Sequence, residues 1–122
     1  MTYARIGAAA RTHALAVMGG VQEEGGTVVL LGPAAGFWPH FQQSAEGRDG
    51  APDPIDRWST RVISALAEAL GAEALFPFGG PPYEPFLRWA IDSGRAWQSP
   101  AGMLVHDVAG LMVSYRGALR FA

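Results

Sequence analysis

At 122 residues, 49% of them hydrophobic and 16% charged, the sequence has the size and composition of one globular domain with a low-charge surface. A net charge of −2, with nine scattered arginines and no lysine, excludes an electrostatic stripe for nucleic acid. The absence of cysteine excludes disulfides, thiolate nucleophiles and iron–sulfur ligation by this chain, and no apolar run nears the about 20 residues that span a bilayer.

Read in chain order, residues 4–10 predict a short helix and residues 13–18 a strand that ends at Gly19 and Gly20. After a Glu23-Glu24-Gly25-Gly26 turn, residues 27–31 form a continuous apolar, β-branched run too short for a helix. That pattern predicts a strand buried on both faces, hairpinned with the first. Gly32 and Pro33 stop it, and residues 36–41 open an aromatic-rich short helix or loop.

Residues 48–52 read as a loop, and the clearest helix follows. Asp53 is a good N-cap, Pro54 suits the first helical position, and Asp56 adds negative charge to the first turn. Ile55, Trp58, Val62, Leu66 and Ala69 or Leu70 make one apolar stripe that predicts packing on a sheet, and Gly71 ends the helix.

Residues 74–78 predict another short strand, which feeds a stiff Gly79-Gly80-Pro81-Pro82 loop. Residues 83–93 carry helical spacing, with Phe86, Leu87, Ala90 and Ile91 on the apolar face and Trp89 beside it. Strands over residues 102–106 and 111–119, split by a turn at 107–110, complete the pattern. Leu111, Val113 and Tyr115 alternate with Met112, Ser114 and Arg116, the period of a strand with two unlike faces. So near the end of the sequence, that strand is expected to be an edge, or to pair with chain beyond Ala122. The expected fold is a single α+β domain over residues 1–122, with a mixed sheet of about five strands and about three covering helices.

Few residues suggest chemistry. His106 and Asp107, at the turn before the last strand, have the makings of an acid–base pair or a phosphate contact, although a turn histidine bonded to backbone is the more ordinary reading. His13 and His40 stand at separations that match no metal motif. Phe78 to Tyr83 suits a stiff pocket wall or a plain connector, and Trp38 suits an aromatic lid or core. Arg116, in a strand context, must reach solvent, a carboxylate such as Asp107, or an anionic ligand. Arg57 and Arg61, four apart on one helix, suit a phosphate grip or a solvated face. No nucleophile elbow, phosphate loop or dinucleotide fingerprint is present. A small-molecule site, if the chain has one, is expected where Trp38, Phe78, Tyr83, His106 and Arg116 converge.

Several stretches carry a likeness to a known group: Pro77 to Pro82, Pro85 to Trp89, the Ser99-Pro100-x-Gly102-x-Leu104-x-His106 run, and Tyr115-Arg116-Gly117-Ala118-Leu119. With Leu30 to Phe41 and Asp53 to Ile63, they resemble the N-terminal region of uncharacterised bacterial 4Fe-4S ferredoxin-type proteins, which are distantly similar to epoxyqueuosine reductase. The resemblance implies cysteine-rich 4Fe-4S ligation in a segment that follows, and this chain supplies no cofactor ligand of its own. It also suggests cobalamin, which is not carried over because no position here matches a cobalamin contact. The expected role is a scaffold or ligand-binding domain of a cytoplasmic ferredoxin-like redox protein, its partner a small molecule or a redox protein rather than nucleic acid or membrane. The alternatives are a non-catalytic interaction module that pairs through its C-terminal strand, and a standalone hydrolase or isomerase using His106 and Asp107.

Overall fold

The structure, a computed structural model, describes residues 2–110 and 114–122. In chain order the elements are α1 (Tyr3–Arg11), β1 (Leu15–Glu23), β2 (Gly26–Pro33), α2 (Phe37–Gln42), α3 (Ala45–Arg48), α4 (Pro54–Leu70), β3 (Glu73–Leu75), α5 (Phe86–Asp92), β4 (Ala96–Gln98), β5 (Leu104–His106) and β6 (Gly117–Phe121). The class is α+β, as expected from sequence. The described strands divide between a four-stranded sheet in the order β1-β2-β6-β3 and a two-stranded β4-β5 hairpin. Every pairing in them is antiparallel, where a mixed sheet was expected.

The larger sheet has a core on each face, and the strand period assigns residues to them. Val29, Leu31 and Leu119 point to one side, where α4 supplies Trp58, Val62, Ile63 and Leu66, and α1 supplies Ile6 and Ala10. Val28, Leu30 and Ala118 point to the other, against Phe86, Trp89 and Ala90 of α5 and Ala96 of β4. Residues 28 to 31 are all fully buried, which explains why β2 reads as an unbroken apolar run rather than an alternating one.

Three expectations along the sheet are corrected. Gly19 and Gly20 do not end β1. They carry it through a bulge between Val17 and Gly19, where Gly19 has φ 150° and a side chain would meet Ser93 Oγ at 2.7 Å. The strand expected over residues 74–78 stops at Leu75. The last described strand begins at Gly117, and it is not an edge. β6 lies between β2 and β3, with residues 118–120 paired on both sides, so these residues present no free edge. Residues 114–116 precede it as irregular chain, and the expectation for 111–113 lies outside the described residues.

The helices follow their stop signals more closely than their faces. Asp53 is the N-cap of α4, but it sits in the left-handed region at φ 51° and its side chain makes no capping bond; Pro54 opens the helix and Gly71, at φ 71°, closes it. Three prolines at positions 81, 82 and 85 lack the amide that a helix would use, and the chain makes a tight turn at Pro85, with the Phe86 amide donating to Glu84 O at 2.9 Å, so α5 starts at Phe86 rather than at 83. Its buried face is Phe86, Trp89 and Ala90, while Leu87 and Ile91 are exposed. Trp89 turns inward because its indole N–H finds an acceptor there, donating to Glu23 Oε1 at 2.9 Å. Sequence reading did not separate α3 or β4 from their surroundings. α3 is a single turn capped by Ser44, whose Oγ accepts from the Gly47 amide at 3.0 Å.

α3 is tied to α4 by a bidentate pair, Arg61 to Glu46, at 2.7 and 2.8 Å. Those hydrogen bonds outweigh the opposing effect of burial and hold the Glu46 carboxyl down to about 2, from an ordinary value of 4.5. The unfolded chain therefore takes up its proton first on acidification, so stability is present above about 4.5 and is lost as the pH falls through about 2. Urea midpoints measured from pH 6 downward will fall more steeply for the wild type than for Glu46→Gln, the two curves drawing together at the acid end.

Candidate functional site

Arg116 is set at the entrance to β6 by its own backbone, the amide donating to Leu31 O at 2.9 Å. Its side chain is mostly buried, with 20% exposed, and meets one carboxylate among the described residues. Asp56 Oδ1 stands 3.6 Å from Nη1, beyond hydrogen-bonding distance. Nε is buried and has no hydrogen-bond partner among the described residues. Burial lowers the pKa of the group, and Asp56 opposes that shift.

This side chain borders a cleft of about 320 Å³ lined by Pro33, Phe37, Trp38, Ile55, Ser114 and Arg116. The aromatic wall rests on the core. Gly36, at φ 81°, starts α2 with a sharp turn, after which Phe37 meets the buried Trp58 edge-on at 5.3 Å and Trp38 stacks near Phe41 at 5.5 Å. Trp38 itself is 56% exposed. The result is a mostly apolar hollow with one cation whose hydrogen-bonding capacity is not filled, at the small end of the about 300–1,000 Å³ typical of ligand sites.

Of the residues expected to converge, the structure brings Trp38 and Arg116 together. Phe78 lies in an adjoining hollow lined also by Asp53, Asp56, Arg57, Thr60, Arg61 and Gly79, so Asp56 stands between the two. Tyr83 is on the surface, packed over Gly80. His106 belongs to neither hollow.

The ordinary reading describes His106. The ring is buried, Nδ1 accepts from the amides of Val108 and Ala109 at 3.1 and 3.2 Å, and Nε2 lies 2.8 Å from Met18 O. With Nδ1 accepting, Nε2 carries the proton and donates to Met18, which fastens the β5 turn to β1. Asp107 Oδ1 is also 3.1 Å from Nδ1, but the carboxylate bonds Arg95 rather than Arg116, Nε to Oδ2 at 3.1 Å, and those hydrogen bonds lower its pKa. Both ring nitrogens of this buried side chain are engaged by the fold.

The expected phosphate grip is occupied as well. Arg57 bonds both oxygens of Asp49 at 2.8 and 3.0 Å, Arg61 is taken by Glu46, and the hydrogen bonds from Arg57 hold Asp49 down to about 2. His13 and His40 share a hollow with Arg61, where burial first, then the charges of His40 and Arg61, lower the pKa of His13. Among the described residues no three His, Cys, Asp or Glu side chains are grouped to hold a metal ion, and no helix is long and apolar enough to cross a membrane.

Asp56, Ile55 and Ser114 were not singled out as site residues from sequence. Asp56 was legible only as a helix N-terminal charge; that the first turn of α4 faces the approach to β6 is a tertiary fact. Compared with known protein families, curated proteins and solved structures, the chain matches none.

Removing the His106 imidazole leaves the Met18 carbonyl and two turn amides without their partner, a loss of roughly 1–3 kcal/mol. Thermal unfolding of His106→Ala will show a lowered midpoint. A wild-type midpoint would remove the fastening role.

Proposed function

We propose that this domain binds a small molecule in the cleft between Trp38 and Arg116, as the ligand-binding half of a cytoplasmic ferredoxin-like redox protein. One observation carries the binding part: the mostly buried Arg116 side chain borders an apolar hollow and, among the described residues, meets one carboxylate, at 3.6 Å, without a side-chain hydrogen bond. A buried cation left under-compensated in this way costs stability, and an acceptor on a ligand offsets that cost. The redox setting is supported by the resemblance of residues 77–121 to the region preceding the cysteine motifs of 4Fe-4S ferredoxin-type proteins. Since this chain has no cysteine, the cluster would be held by residues outside it.

Within that reading the chain positions a ligand and does not carry out the chemistry. Arg116 supplies charge and hydrogen-bond donors, Trp38 and Phe37 supply an aromatic wall, and α4 with β6 holds the two sides at fixed separation.

Titration of the four tryptophans' fluorescence with flavins, nucleosides, cobalamins, aromatic carboxylates and aromatic phosphates tests the site. A saturable change is expected for at least one compound, weakened at least about tenfold in Arg116→Gln and in Trp38→Ala while both variants keep the wild-type circular dichroism. No saturable change with any compound, or one indifferent to both substitutions, would overturn the proposal.

A further inference from the structure

The charges around the cleft select among ligands. Asp56 already places one negative charge beside the guanidinium, so Arg116 and Asp56 together are neutral before anything binds. A monoanion seated against Arg116 leaves one excess negative charge beside the pair, and a dianion leaves two, the second directly repelled by Asp56. Asp56 approaches Nη1, Nε is closed off inside the protein, and Nη2 makes no hydrogen bond to a described residue. A carboxylate oxygen is a fitting acceptor for that outer edge of the guanidinium.

The remaining walls are Pro33, Phe37, Trp38 and Ile55 with the small polar Ser114, and the volume of about 320 Å³ suits one or two fused rings rather than a large cofactor. The exposed indole of Trp38 offers a stacking face that an aliphatic acid would use poorly. We infer that the cleft takes a small planar aromatic monocarboxylate and disfavours the corresponding phosphate, with Asp56 as the residue that sets this preference. The inference rests on the reading of the cleft as a ligand site.

Isothermal titration with 2-naphthoate, 2-naphthyl phosphate and 2-naphthalenemethanol at pH 7.5 separates the two levels. The wild type is expected to bind 2-naphthoate at least about tenfold more tightly than either of the others. In Asp56→Asn the phosphate should gain at least about tenfold, closing or reversing the gap, while Arg116→Gln should reduce 2-naphthoate to the level of the uncharged alcohol. Asp56 is 41% exposed and makes no hydrogen bond through its side chain among the described contacts, so Asp56→Asn reports on charge rather than folding. Wild-type preference for the phosphate, or a phosphate affinity unmoved by Asp56→Asn, would overturn the inference on ligand class and leave the cleft a ligand site. Absence of binding by all three compounds would overturn the inference, and the wider panel then decides whether the site reading falls with it.

Discussion

The position of β6 inside the sheet is the constraint on which the remainder rests. A strand from the end of the sequence is inserted between β2, near its beginning, and β3, beyond the long helix, so the sheet is complete only when the last residues are in place. Leu119 then packs into the α4 core and Ala118 into the α5 core, and one strand couples both layers. Gly117 at its entrance has no room for a side chain, since a Cβ there would meet Ile63 Cδ1 at 2.7 Å. The close approach of helix and strand at that point brings Arg116 and Asp56 within reach of each other.

Electrostatics distinguishes Arg116 from the other cations near the sheet. Arg57, Arg61, Arg88, Arg95 and Arg120 each have a carboxylate oxygen within 3.1 Å, which ties α3 to α4, α5 to β1, β4 to the β5 turn and β3 to β6. Most of these pairs sit at the surface and add little individually. Arg116 is the more buried group, yet Asp56 stands further off, at 3.6 Å. These five arginines are held by close carboxylates, while the more buried Arg116 stands at the mouth of a cleft without one at hydrogen-bonding distance among the described residues.

Much of the fold was legible because local signals agree with tertiary need. The β2 run, the α4 stripe and the Gly71 stop describe their elements closely, and the hairpin followed from a turn between two apolar runs. The failures have physical causes. Two consecutive glycines suggest a stop, but at Gly19 and Gly20 the missing side chains make room for Ser93 and Tyr3 and the strand continues. Leu87 and Ile91 fit a helical stripe as well as Trp89 does, and only the distant Glu23 decides which face turns inward. Of the site, Trp38 and Arg116 were identified and do line one cleft. Tyr83 and His106 were grouped with them because loop and turn chemistry marks polar or stiff positions without saying which hollow they face.

Amide hydrogen exchange, followed by NMR on the ¹⁵N-labelled chain, tests the insertion of β6 most directly. The amide of Arg116, bonded to Leu31, and those of residues 118–120 should exchange as slowly as those of residues 28–31, because none can open without separating the sheet. Exchange of the 116–120 amides at the rate of surface loops, with residues 28–31 still protected, would contradict an interior β6 and, with it, the placement of Arg116 in the cleft.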